Sequence, residues 1–157
     1  MTEITHSSPQ ILSLMHLALE EAALAAAEGE VPIGAVLAVG EQVIARNHNR
    51  IEQLHDATSH AEMLVIREAS AKLGAWRLTS ATLVVTLEPC PMCLGAIRLA
   101  RIPNLIFAAS DSRFGACGST VNLCTKSEFG PELEVVKGVM QEEAAKLLKE
   151  FFQKRRG

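Results

Sequence analysis

A chain of 157 residues with a formal net charge of −3 is long enough to bury one core, and it lacks the positive excess of an indiscriminate nucleic-acid binder. With 48% apolar and 21% charged residues it has a globular rather than a disordered composition. No uninterrupted apolar run approaches the roughly 20 residues of a membrane span: His16, Glu20 and Glu21 break residues 11–27, which also lack the basic start of a signal peptide.

In chain order, Ser8-Pro9 supplies an N-cap and first position for a helix whose apolar residues Ile11, Met15, Leu19, Ala22 and Ala26 recur every three or four positions. Gly29 is its expected stop. Two apolar runs around Gly40-Glu41 predict a hairpin with strands near 33–39 and 42–48. A second helix is expected from Ser59 to Leu73, closed by Gly74, with Ser59 and Glu62 matching a capping box. Residues 81–88 read as a strand buried on both faces, and Pro89-Cys90-Pro91 ends it and opens a third helix to about Ala100. A strand over 104–109, a polar Gly-rich loop over 110–119, a fifth strand over 133–139 and a last helix over 141–156 complete the order. No repeat or linker divides 1–157, so one domain is expected, with 1–8 as an N-terminal tail.

A hairpin followed by strand–helix–strand units implies a mixed sheet covered by helices. Right-handed crossovers place the second and third helices on the same side of it. Their starts, at His60 and Cys90, lie near strand ends, where open α/β sheets form sites.

Those starts carry the chemistry. With Pro91 at the first helical position, Cys90 is the N-cap and Cys93 lies three residues on, so both sulfurs fall on one side of the first turn. The positive end of a helix stabilises thiolates, and zinc takes thiolate and imidazole in tetrahedral geometry. His60 and Glu62 do not share a face in mid-helix, but a ligand off the helix end is within reach of both. His60, Cys90 and Cys93 make three ligands. Structural zinc sites usually have four and catalytic sites three, and an open position on zinc lowers the pKa of water from 15.7 to about 7. Glu62 is then the candidate general acid/base. Against this stand two plainer readings: a redox Cys-x-x-Cys pair, and Glu62 as a capping residue only. With no secretory signal, the four cysteines point to a reducing cytoplasm and to metal or catalytic use. Cys117 and Cys124 are expected as small buried apolar groups, and His16, His48 and His55 as non-ligands.

The His-x-Glu and Pro-Cys-x-x-Cys pair matches the zinc deaminase signature. Together with "EVPIGAV" (30–36), "NR" (49–50), "TLEPCPMC" (86–93), "GACGS" (115–119) and "FFQKRR" (151–156), it resembles the bacterial-type tRNA-specific adenosine deaminases over roughly residues 9–156. One departure is Ala57 where that family usually has proline, which predicts a looser turn before His60. The resemblance implies a three-layer α/β/α cytidine deaminase-like fold, with a mixed five-stranded sheet and helices on both faces. It implies one Zn2+ per chain, a homodimer in the cytoplasm with no membrane association, and hydrolytic deamination of adenosine to inosine at the wobble position of a tRNA anticodon stem-loop. It further implies that Asn49 contacts the target nucleoside, that Asp111 and Arg113 lie near flanking nucleotides, and that Phe152 and Arg156 hold the stem-loop. Turn chemistry accounts for Asn49, Asp111 and Arg113 as well, and core packing for the phenylalanines. Two rivals remain at this level. A deaminase of a free base or nucleoside (guanine, cytosine or cytidine) needs no basic tail. A zinc-stabilised RNA-binding module needs a fourth protein ligand.

Overall fold

The computed structural model describes residues 8–156, so the tail expected over 1–8 lies outside it but for Ser8. Helix α1 spans Pro9–Ala27, with Ser8 at the N-cap and Pro9 where a missing N–H costs nothing. It is the one described helix long and apolar enough, by length and composition, to cross a membrane, although shorter runs were expected from its charged interruptions. Ile11, Leu14, Met15 and Ala18 are spent on the sheet instead. The interruptions are where α1 grips its neighbour: Glu20 and Glu21 both bond Arg46, and Glu21 also bonds His48. Strand β1 (Gly34–Val39) starts so close to α1 that a Cβ at Gly34 would overlap the Ala18 carbonyl, so only glycine fits.

The hairpin continues into β2 (Gln42–His48), then a short helix α2 (Ile51–Leu54) that local pattern did not announce. Glu30 fixes α2 from a distance, its carboxylate accepting the Glu52 and Gln53 N–H groups at 3.0 and 2.8 Å. Then follow α3 (Ala61–Leu73), β3 (Ala81–Leu87), α4 (Pro91–Leu99), β4 (Asn104–Ala109), β5 (Glu134–Lys137) and α5 (Gln141–Arg156). Strand β5 is shorter than expected, because Gly138 takes a φ of +83° that ends extended pairing.

The sheet order is β2-β1-β3-β4-β5. β1 runs antiparallel to β2 and β3, while β3, β4 and β5 are parallel. Helices α3 and α4 pack on one face, with Ala61, Val65, Leu94 and Ile97 over Leu83 and Val85. Helices α1 and α5 cover the other, against Val84 and Ile106. This is the expected mixed five-stranded sheet between helical layers, with α3 and α4 on the same side. Its register sets the position of the site. His48 pairs with Gly34, Ala35 with Val85, and Leu87 with Ala109, so the ends of β2, β3 and β4 leave the sheet at one edge. Asn49, Cys90 and the 110–119 loop therefore converge there.

Residues 120–131 are largely irregular and are held from outside. Buried Arg98, near the end of α4, donates to the carbonyls of Leu123, Cys124, Gly130 and Pro131. The expectation of Cys117 and Cys124 as free buried groups is corrected: they form a disulfide, and only Cys124 is fully buried. A one-residue bridge between Cys117 and Asn122 turns the chain back and brings the two Cα atoms to 5.5 Å, within disulfide range.

Candidate active site

The start of α3 differs from the capping box expected of it. His60, not Ser59, is the N-cap, and Glu62 sits at the second helical position. The Ser59 hydroxyl is taken by Asp56, whose carboxylate also accepts the Thr58 N–H and hydroxyl. Those Thr58 bonds hold the Asp56 carboxyl down to about 2. The turn that lacks proline is thus closed by an Asx arrangement and not loosened. The first free N–H of α3, that of Ala61, is satisfied across the chain by Asn49 Oδ1 at 3.0 Å. Asn49 accordingly has a structural task that the sequence did not disclose, and its Nδ2 remains to donate.

Cys90 is the N-cap of α4 and Pro91 its first residue, as expected. His60 Nδ1 lies 3.4 Å from Cys93 Sγ and 3.7 Å from Cys90 Sγ. A tetrahedral ion with zinc's bond lengths, about 2.3 Å to sulfur and 2.05 Å to nitrogen, separates such ligands by about 3.5 Å. Both nitrogen–sulfur distances fit that separation, all three donor atoms lie within 4.8 Å of one another, and they are placed to bind a metal ion. The hydrogen bond from Cys93 and the nearby His60 ring hold the Cys90 thiol down to about 4 against burial. That bond and burial push Cys93 up. Among the described residues, no fourth His, Cys, Asp or Glu joins the group. His48 is instead locked between Glu21 and Glu28.

Glu62 is buried, and desolvation pushes its carboxyl up. It opens onto a pocket of about 670 Å³, which is the size of a small-ligand site. Of the residues the sequence nominated, Asn49, His60, Glu62, Cys90, Asp111, Arg113 and Phe152 line it. Cys93 is buried behind. Arg156 is exposed at the end of α5 and does not line the pocket.

Two contributors were missed. Phe114 also lines the pocket. Glu88, quoted only as a letter of a motif, is the anchor of the 110–119 loop. Its buried carboxylate accepts the N–H groups of Asp111, Cys117 and Ser119 and the Ser119 hydroxyl. Burial alone would raise its pKa, but these four donors together keep it below the ordinary range. A Cβ at Gly115 would collide with this carboxylate, so glycine is required there too. Glu88→Gln puts an amide N–H against backbone N–H donors and removes the charge. Hydrogen bonds to charged groups are worth about 1.5–3 kcal/mol each, and replacing the oxygen that accepts from Cys117 and Ser119 removes two of them, so the melting temperature should fall by roughly 6–24 °C with metal content unchanged. Calorimetry with elemental analysis checks this, and an unaltered melt would mean that the carboxylate does not anchor the loop.

A family model for MafB19-like deaminases matches residues 10–156. That match, the sheet topology and the pair of helix starts define the class: a deaminase of cytidine deaminase-like fold. The tRNA-specific adenosine deaminase of Bacillus subtilis (strain 168) is 49% identical over 142 residues, covering 90% of this chain and 88% of its own. That of Agrobacterium fabrum (strain C58) is 44% identical over 156 residues, covering 99% and 98%. A solved structure from work on A-to-I editing by tRNA:A34 deaminases at the wobble position has a TM-score of 0.84 and 46% identity, over 87% of this chain and 99% of that one. The chain belongs to the tRNA-specific adenosine deaminase family.

Proposed function

We propose that the chain catalyses hydrolytic deamination of adenosine to inosine at the wobble position of a tRNA anticodon, using one zinc ion. The observation that carries this reading is the pocket, where a buried carboxylate beside a His/Cys/Cys group meets a rim with Arg113 and Phe152. The family relation supplies the substrate class.

His60, Cys90 and Cys93 would hold zinc, which supplies the acidification of a water molecule. Glu62 takes a proton from the attacking water and passes it to N1 of adenine, then serves the departing C6 amino group, so that adenosine and water give inosine and ammonia. Asn49 orients the base through Nδ2, because its Oδ1 is committed to Ala61. The buried wall behind Glu62 limits bulk water. A loop nucleotide is already partly unstacked, so turning it into the pocket costs less than opening a base pair. Arg156, outside the pocket, contributes to holding the stem-loop backbone together with Lys154.

The enzyme acts as a homodimer in the cytoplasm. Support for the dimer is the outer face of α4, where exposed Leu99 and Phe129 flank an apolar groove. The free-base rival is separated by a direct assay. Incubated with an anticodon stem-loop and, separately, with adenosine, cytidine and guanine, the protein should form inosine in the stem-loop far faster than it releases ammonia from the small molecules. Rapid guanine or cytidine turnover, with no inosine in the stem-loop, would overturn the assignment.

A further inference from the structure

Phe114 is the most exposed aromatic residue among those described, at 62%. An exposed ring on a mobile loop would carry no meaning, but this one sits on a pinned backbone. Asp111 Oδ1 accepts the N–H groups of Arg113 and Phe114 at 2.9 and 3.3 Å. The Gly115 N–H bonds the Asp111 carbonyl, and the Ala116 N–H bonds that of Pro89. Glu88 holds Asp111 and Cys117 on either side. The ring therefore cannot fold away into the core without breaking these bonds. It lines the same pocket as Glu62, and Phe152, 42% exposed, lines that pocket from α5.

We propose that Phe114 is a positioning residue that stacks on a base adjacent to the target nucleotide, holding the strand while the target enters the pocket. The assignment rests on the reading of the substrate as a single-stranded loop of RNA. In such a loop, the bases next to an extruded nucleotide leave the pocket at its rim, where the two rings stand. An aromatic face offers stacking to any base, and Arg113 beside it offers charge to the phosphate. A fixed platform also loses little entropy on binding.

Stacking on one base is worth about 1–3 kcal/mol by alanine substitution, so Phe114→Ala should lower kcat/KM on a stem-loop by about 5- to 150-fold. Phe114→Trp should restore most of it, and Phe114→Leu, apolar but without a π face, should not. Stem-loops with an abasic nucleotide at each neighbouring position identify the partner: at the stacked position, wild type falls to the Phe114→Ala level and the variant loses nothing further. A second readout needs no turnover. 2-Aminopurine placed next to the target should be quenched on binding by wild type and markedly less by Phe114→Ala. Equal quenching by both, or equal losses at every abasic position, overturns the proposal. So does a shift to monomer in sedimentation by Phe114→Ala, which would make the ring a contact between subunits. If quenching depends on Phe114 but no inosine forms, the stacking stands and the proposed reaction is what fails.

Discussion

Glu62→Gln should lower deamination by at least about a hundredfold while leaving the fold and the metal content intact. The amide keeps the size and most of the hydrogen bonding of the side chain but cannot carry a proton at neutral pH. The structure removes the plainer reading of this residue, because the helix is capped at His60 and by Asn49, so no capping box depends on Glu62. A buried carboxyl pays for its own desolvation, which is why its pKa is raised. A cation bound nearby would draw that pKa back down and favour the proton-accepting form. Glu62→Gln should consequently hold or raise the melting temperature as activity collapses. Turnover, a thermal melt and elemental analysis on one preparation test all three, and near-normal turnover would show that another group moves the proton.

Cys90→Ala and Cys93→Ala should each lose most of the zinc and destabilise the protein. The ligands come from two helices whose starts are separated by 30 residues, so an ion joining them would fasten α3 to α4 and contribute to folding directly. The two variants should differ in the absence of metal. Cys93 is fully buried, and its truncation leaves a cavity as well, whereas Cys90 is only half-buried. Protein purified without added metal should contain about one zinc per chain in wild type, and far less in either variant. Unchanged zinc in both would dismiss the ligand assignment.

What could be read from the sequence follows the range of the forces involved. The last helix, expected over 141–156, is Gln141–Arg156, because its period and charge pattern are local. The apolar run ending at Leu87 declared a doubly buried strand, and Pro-Cys-Pro declared a helix start. The metal group was legible because ligand chemistry restricts residue type and spacing together. Failures came where a motif was outbid by a competing partner, near or distant. Ser59 offered a cap, but Asp56 took its hydroxyl. Helix α2 has four residues and depends on Glu30, more than twenty positions earlier. Glu88 reveals its task only when a loop up to 31 residues later folds back over it. The Cys117–Cys124 pairing likewise needs a turn whose geometry no residue type dictates.

Arg98 gives the irregular segment after the pocket loop an unusual kind of heritability. It grips carbonyl oxygens, and every residue presents the same one whatever its side chain. The shape of residues 123–131 is therefore encoded mostly outside that segment, in one position on a helix. Within it, Cys124 is fixed by its disulfide, Gly130 by a φ of +103° and Leu123 by its packing on the core, while a single change at 98 releases both ends of the segment together. Substitutions at the exposed positions 125–128 therefore leave untouched the four backbone bonds that hold the segment in place.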